Sequence, residues 1–110
     1  MTINEQNFLN IDLNLMLMFS VLYRERSVTH TAKCLEVGQP AISNSLAKLR
    51  LLFNDPLFLR CGRKMRPTAL ADSIATVLIP ALSVIEALLI DTPKAASLNI
   101  DRSSASQSDA

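Results

Sequence analysis

Residues 39–53, QPAISNSLAKLRLLF, carry the pattern that decides the fold. Four large apolar residues recur at spacings of four, three and four, which places them on one side of an α-helix. They are Ile42, Leu46, Leu49 and Phe53. Pro40 suits the first turn of such a helix, where its missing N–H costs no hydrogen bond. The stretch is therefore predicted to be an amphipathic helix.

The other side of this helix has the chemistry of a surface that enters a DNA major groove. It carries amides, hydroxyl and small residues and two cations, and no carboxylate: Gln39, Ser43, Asn44, Ala47, Lys48 and Arg50. Amides and hydroxyls pair with base edges, and cations meet phosphates. The alternative is an ordinary amphipathic helix with a solvated outer face, and this stretch alone does not decide between the two.

Length and composition favour a single, mostly helical domain. Of 110 residues, 49% are hydrophobic but only 5% are aromatic, so a core of Leu, Ile, Val and Ala is expected. The net charge of the whole chain is +1. Residues 24–66, however, hold nine lysines and arginines against three acids, a local net charge of +6. Such a local concentration of positive charge is typical of nucleic-acid binding.

The N-terminal part is predicted to be a polar arm followed by a helix. Residues 1–11 form the arm, in which Phe8 and Leu9 are the only candidates for packing on the body of the domain. Asp12 is expected to cap a helix over about residues 13–25. Because this helix is apolar almost all round, it needs packing partners on two sides.

A short helix and a turn connect this region to the amphipathic helix. Ser27 or Thr29 is expected to cap a helix over about residues 28–36. Residues 36–38 then form a tight turn, in which Gly38 would relieve any need for positive φ. A short helix, a turn and a longer amphipathic helix are the layout of a helix-turn-helix.

A small β-hairpin is predicted after the amphipathic helix. Pro56 should end that helix, because it disfavours a helical conformation at Asp55. Alternating apolar residues and a turn at Gly62 then predict a hairpin, here called the wing, over residues 57–67. The wing carries the cations Arg60, Arg63, Lys64 and Arg66. They indicate contact with a phosphate backbone or a minor groove, whereas an edge strand made soluble by charge is the alternative.

A long apolar helix is predicted next. Thr68 is expected to cap a helix over about residues 69–90, whose apolar stripe is too large for this domain to cover, so a partner chain is the expected cover. The stripe consists of Leu70, Ile74, Val77, Leu78, Ala81, Leu82, Ile85, Leu88 and Leu89. Pro80 predicts a bend or a fresh helix start. Residues 91–110 are rich in Ser, Ala and Asp, which is typical of a flexible hinge or tail.

Enzymatic, metal-binding and membrane functions are not indicated. Cys34 and Cys61 lack the spacing of a zinc or redox site and are expected to be free thiols. The single histidine, His30, and the scattered acids form no catalytic constellation, so no enzyme, metal or cofactor is expected. The N-terminal residues do not resemble a signal peptide, and charge or proline breaks the longest apolar runs, so a cytoplasmic protein is expected.

From Asp12 to about Leu89 the chain resembles the N-terminal DNA-binding domain and linker helix of LysR-type transcriptional regulators. The resemblance is carried by the Leu-rich first helix, by SVTHTAKCLEVGQPAISNSLAKLR and LFNDPLFLRCGRKMRPTAL, and by the long helix. It implies a mainly α fold, with a winged helix-turn-helix over residues 12–67 made of a three-helix core and the wing. A linker and dimerisation helix over residues 68–90 follows.

The resemblance also implies how DNA would be bound. Two chains would dimerise through antiparallel linker helices and place their recognition helices in successive major grooves of an interrupted, AT-containing palindrome. Base contacts would come from Gln39, Pro40, Ser43 and Asn44, and residue chemistry agrees, because amides pair with adenine and proline can touch a thymine methyl. Backbone contacts would come from Thr29, His30, Lys48, Arg50, Arg60, Arg63, Lys64 and Arg66.

The sequence departs from the family pattern in three respects. Gly38 stands where the family usually has a serine, and Thr31 where it usually has an alanine, which puts the contact made by the turn in doubt. Full-length relatives continue into an effector domain of two α/β lobes, which these residues lack. An inducer site is therefore not expected here, and pairing of dimers into tetramers is an expectation for a full-length protein only.

Two functions from different classes follow from these patterns. The first is sequence-specific binding of double-stranded DNA in transcriptional regulation. The second is a short dimerising module that sequesters a full-length regulator through residues 69–90. The second function predicts heterodimers and weak affinity for DNA.

Overall fold

The computed structural model describes residues 2–9 and 11–91, which form a mainly α arrangement with one antiparallel hairpin, as predicted. The elements are a short 3-10 helix Glu5–Asn7, α1 Leu13–Glu25, α2 Val28–Leu35, α3 Gln39–Phe53, β1 Phe58–Cys61, β2 Lys64–Pro67 and α4 Ala69–Asp91. The hinge or tail predicted for residues 91–110 lies, from residue 92 onward, outside the described residues.

The predicted start and end of α1 are confirmed. The Asp12 side chain accepts a hydrogen bond of 2.9 Å from the Asn14 N–H, which satisfies a donor that the first turn would leave free. The arm differs from the expectation for its apolar residues, because Phe8 and Leu9 are 57% and 67% exposed. Neither residue belongs to the hydrophobic core or to the partly buried residues packed against it.

The turn between α2 and α3 is built differently from the prediction. Ser27 caps α2, accepting a 3.1 Å hydrogen bond from the His30 N–H, and Thr29 does not. The helix ends at Leu35, because Glu36 takes the left-handed conformation with a φ of 57°. Gly38 has a φ of −79° and an extended conformation, so the prediction that it would supply a positive φ is wrong.

The core joins the three helices of the helix-turn-helix to the wing and to the start of α4. It is formed by residues that are at most 5% exposed, among them Phe19, Leu22, Ile42, Leu46, Leu49, Leu57, Phe58, Met65, Ala71 and Ala75. The rings of Phe19 and Phe58 lie 5.4 Å apart, which fixes β1 against α1. Removing a buried aromatic side chain of this kind typically costs about 3–5 kcal/mol.

The wing is the predicted hairpin with a shorter first strand. Cys61 pairs with Lys64 across a turn in which Gly62 has a φ of 65°, the pattern of a type II′ turn. The alternation that predicted the strand does not decide its buried side, because Leu59 and Cys61 are exposed and Phe58 is fully buried. The wing is thus anchored to the core at its base and exposed at its tip.

The last helix confirms its predicted cap but not its predicted interruption. The Thr68 hydroxyl accepts a 3.2 Å hydrogen bond from the Ala71 N–H. The helix continues through Pro80, so the alternative of a fresh start there is wrong, whereas the alternative of a bend stays a prediction. The chain divides into two compact units, one ending at Leu78 and the other starting at Ile79, and α4 contributes to both.

By length and composition alone, α4 could also cross a membrane. This differs from the expectation that charge and proline break every long apolar run. The first two turns of α4 nevertheless supply Ala71 and Ala75 to the protein core. The first two turns of α4 therefore pack against the core of their own domain.

Candidate nucleic-acid interface

The first two turns of α3 present an exposed surface of amides, a hydroxyl and a proline. All four predicted base-contacting residues lie on it and are exposed: Gln39, Pro40, Ser43 and Asn44. Buried Ile42, Leu46 and Leu49 hold the opposite side of the helix in the core. This surface, here called the reading face, is therefore fixed in orientation by packing on its far side.

The start of α3 adds a favourable electrostatic feature. Gly38 is the N-cap and has no side chain to accept a hydrogen bond from the first turn. The N-terminal N–H groups of a helix carry a partial positive charge and attract anions such as phosphates. No acidic residue occupies the first turn of α3 to compete for them.

The predicted backbone-contacting cations are exposed, and most have no partner inside the described part of the chain. Lys48 on α3 and Arg60, Arg63, Lys64 and Arg66 on the wing have no such partner, whereas the exposed Arg50 is hydrogen-bonded. The only ion pair within residues 2–9 and 11–91 joins Arg24 to Glu25 at 2.7 Å, and the hydrogen bond from Arg24 to Glu25 raises the pKa of Arg24. The positive charge of the wing is therefore not neutralised there.

Thr29 and His30 lie on the first turn of α2, where both are exposed. They are thus accessible, as a backbone contact requires. No group of three or more His, Cys, Asp or Glu residues that could hold a metal is found among the described residues.

Arg50 has partners that the sequence did not indicate. Its Nε donates to the Pro56 carbonyl and its Nη2 to the Phe58 carbonyl, both at 2.8 Å. These contacts join the last turn of α3 to the base of the wing. A guanidinium has five N–H donors, so three remain. The predicted phosphate contact by Arg50 therefore stays a prediction.

The connection between α3 and β1 is strained and tightly hydrogen-bonded. Leu57 is fully buried with a φ of 64°, and the Phe58 N–H donates to the Pro56 carbonyl at 2.6 Å, which makes a γ-turn of the rare, strained kind. Asp55 Oδ2 accepts hydrogen bonds from the Leu57 N–H and the Thr68 hydroxyl, both at 2.8 Å. Asp55 is thus used inside the protein and does not lie free beside the wing cations.

The predicted interface residues of α4 are only partly covered by the chain itself. Ile74, Leu78 and Leu82 are half-buried, whereas Leu70, Val77, Ala81, Ile85, Leu88 and Leu89 are exposed. The apolar surface is also wider than predicted, because Val84 and Ile90 are 71% and 69% exposed. The predicted stripe omitted Val84, although it lies three residues after Ala81 and four before Leu88, whereas Ile90 lies outside the i, i+3, i+4 series.

Comparison with protein families finds one match over more than half of the chain. Residues 13–72 match the family described as bacterial regulatory helix-turn-helix protein, lysR family. This segment runs from the first residue of α1 to the first turn of α4 and contains the whole reading face and wing.

Relatives by sequence are transcriptional regulators. The HTH-type transcriptional regulator LeuO of Escherichia coli is 40% identical over 76 residues, which are 69% of this chain and 24% of LeuO. The HTH-type transcriptional activator NagR of a Ralstonia species is 42% identical over 80 residues, which are 73% of this chain and 27% of NagR. The chain thus spans about a quarter of the length of these relatives.

Solved structures with the same fold include a probable transcriptional regulator from Pseudomonas aeruginosa. The match has a TM-score of 0.71 and 40% identity, and covers 74% of this chain and 27% of that one. The BenM DNA-binding domain in complex with catB site 1 DNA matches with a TM-score of 0.69 and 24% identity, over 79% of this chain and 98% of that one. The chain belongs to the lysR family of bacterial regulatory helix-turn-helix proteins.

Proposed function

We propose that this chain binds double-stranded DNA in a sequence-specific manner and acts in transcriptional regulation. The observations that carry the proposal are the exposed reading face at the start of α3 and the exposed cations of the wing, which form no ion pair within the described residues. Gln39 and Asn44 offer amides that can pair with adenine, Pro40 offers an apolar contact for a thymine methyl, and Ser43 offers a hydroxyl for a base edge or a phosphate.

The backbone of the duplex would be held on both sides of this face. Thr29 and His30 on α2, and Lys48 in the middle of α3, would contact phosphates. The wing contributes Arg60, Arg63, Lys64 and Arg66, which suit phosphates or a minor groove. Contacts of this kind position the protein without reading sequence, whereas the reading face supplies specificity.

Dimerisation through α4 would duplicate the reading face. Val77, Val84 and Ile90 are about 70% exposed, and exposed apolar residues in such number on one helix suit an interface. Residues 12–67 would then form the DNA-binding domain and residues 68–90 the dimerisation helix. Two such domains would suit an interrupted, AT-containing palindrome. The protein would act in the cytoplasm and would have no enzymatic role. The activity and the inducer of a longer relative would depend on residues beyond these.

Selection of bound duplexes from a random pool tests this function directly. An enriched sequence is expected, and Gln39→Ala should weaken binding to it by about 1–3 kcal/mol with little change on unrelated duplexes. Gln6→Ala, which removes an exposed glutamine from the arm, is the matched control and should have no effect. The proposal fails if no sequence is enriched, or if Gln39→Ala binds every duplex as the parent does.

The exposed apolar surface of α4 favours a second candidate, a module that sequesters a longer regulator by forming heterodimers. Size-exclusion chromatography of the chain, with and without the selected duplex, separates the candidates. A homodimer that shifts to a larger complex with the duplex supports DNA binding. A chain that ignores the duplex but exchanges into a longer family member supports sequestration, and flotation with lipid vesicles would contradict both.

A further inference from the structure

The guanidinium of Arg50 donates a hydrogen bond to the Phe58 carbonyl, which has no donor within the wing itself. Phe58 lies opposite Pro67 in a non-hydrogen-bonded pair of the hairpin, since the neighbouring Leu57 carbonyl accepts the Thr68 N–H, and the Phe58 carbonyl therefore points away from β2. The Phe58 carbonyl instead accepts a 2.8 Å hydrogen bond from Arg50, whose Nε also binds the Pro56 carbonyl at 2.8 Å. The outer edge of β1 is therefore attached to the last turn of the recognition helix.

The other edge of the wing is attached to α1. The Met65 N–H points away from β1 and donates to the Arg26 carbonyl at 2.9 Å. Phe58 and Met65, the residues of the two strands that face the core, are 0% and 5% exposed. The base of the wing is thus held from both edges and from one face, while its charged tip is exposed.

We infer that Arg50 is a positioning residue, which fixes the wing relative to the reading face so that both meet one duplex in one register. The inference rests on the proposed function, since it assumes that the wing contacts DNA. A guanidinium suits the task because its donors are arranged in a rigid fork that reaches two carbonyls at once. The ammonium of a lysine would keep the charge but lose that geometry.

A double-mutant cycle separates positioning from direct contact with phosphate. Arg50→Lys should weaken binding to the selected duplex by about tenfold, since it removes hydrogen bonds from a charged donor. In a background with the wing tip neutralised, Arg63→Gln with Lys64→Gln, the same substitution should cost less than about twofold, because residues that act as a unit are not additive. An equal loss in both backgrounds would overturn the inference and indicate that Arg50 meets the phosphates itself.

Lys48 provides the matched control for this cycle. It lies on the same helix and is exposed, and within the described residues its side chain has no hydrogen-bond partner. Lys48→Gln should therefore weaken binding by the same factor in both backgrounds, as expected for an independent phosphate contact. A cycle in which Lys48 and Arg50 behave alike would contradict the positioning role.

Hydrogen exchange of the protein without DNA gives a readout that does not depend on DNA binding. Arg50→Lys should speed exchange of the β1 and β2 amides and leave those of α1 and α2 unchanged. Unchanged exchange in the wing would overturn the inference, and so would a uniform increase in all helices, which would mean that Arg50 stabilises the whole fold. If no duplex is enriched by the parent protein from the random pool, the proposed function fails. Hydrogen exchange would still decide whether Arg50 anchors the wing.

Discussion

The hydroxyl of Tyr23 donates a hydrogen bond of 2.8 Å to Asp72 Oδ1, which joins the end of α1 to the first turn of α4. The guanidinium of Arg26 lies over the Tyr23 ring, 4.6 Å from its centroid. The hydrogen bond to the carboxylate raises the pKa of Tyr23, and desolvation and the negative charge of Asp72 raise it further. The contact holds the neutral, protonated form of the phenol.

This contact predicts that stability falls at high pH. Because the folded pKa of Tyr23 is above its unfolded value of about 10, the contribution of the contact is complete below pH 10 and is lost as the pH rises through the folded pKa. Tyr23 is the only tyrosine and the chain has no tryptophan, so ultraviolet titration of the phenol reports this residue alone. The midpoint should be higher in the folded protein than in denaturant.

Asp72→Asn is the control for this prediction. It removes the charge and weakens the acceptor, so the midpoint of Tyr23 should fall toward the value measured in denaturant. A folded parent and a folded Asp72→Asn variant with the same midpoint would contradict the assigned cause.

Asp55 predicts a second effect on stability. Asp55→Ala leaves the Leu57 N–H and the Thr68 hydroxyl without their acceptor, next to a strained residue, so we expect a loss of about 2 kcal/mol in the free energy of unfolding. Asp55→Asn keeps an acceptor oxygen and should cost less. Denaturant unfolding followed by circular dichroism at one protein concentration measures both.

Asp12→Ala provides a comparison in another part of the fold. It removes only the cap of α1 and should cost about 1 kcal/mol. If Asp55→Ala destabilised the protein no more than Asp12→Ala does, the junction between α3, the wing and α4 would not depend on Asp55 as described.

Local chemistry explains what the sequence predicted well. The starts of α1 and α4 are set by Asp12 and Thr68, and α3 ends where Asn54 takes the left-handed conformation, two residues before Pro56. The reading face follows from helical periodicity, which also acts within one element. These features needed no knowledge of tertiary contacts.

Features that depend on tertiary contacts were missed or predicted wrongly. Arg50 looks like any cation on a polar face until the wing folds back and brings the Phe58 carbonyl to it. Leu57 has a positive φ because its buried side chain and the Asp55 carboxylate hold it there, which no propensity indicates. Glu36 takes the left-handed position expected of Gly38, because the helix ends one residue earlier.

Gly38→Ser is predicted to stabilise the protein. The φ of −79° is accessible to any residue, and a Cβ would lie 3.4 Å from the Pro40 Cδ, an ordinary contact. A hydroxyl at this N-cap can accept a hydrogen bond from the first turn, and replacing glycine also reduces the entropy of the unfolded chain. We expect a gain of about 0.5–1 kcal/mol by denaturant unfolding. Gly62→Ser, at a positive φ, is the opposite control and should destabilise.

The exposed surface of α4 predicts that charge will disrupt the proposed dimer. Val84→Glu with Leu88→Glu places carboxylates on residues that are 71% and 62% exposed in the single chain, so folding of the domain should be unaffected. Burying these charges in a dimer should weaken it by about 2 kcal/mol or more. Analytical ultracentrifugation over a range of concentrations measures the change, and Glu86→Gln is the neutral control. A dimer of unchanged strength would place the interface elsewhere.

Arg63 at the tip of the wing predicts a change in the salt dependence of DNA binding. The residue is exposed, and within the described residues it forms no ion pair, so its charge is available to a phosphate. Arg63→Gln should weaken binding to every duplex and reduce the slope of log K against log salt by about 0.9 for each chain. Arg24→Gln removes an equal charge that is paired with Glu25 on α1, and it should leave the slope unchanged. A residue that contacts bases would change sequence preference and leave the slope nearly intact. If Arg63→Gln kept the parent's slope but changed its sequence preference, Arg63 would be assigned to base contacts and not to phosphate contacts.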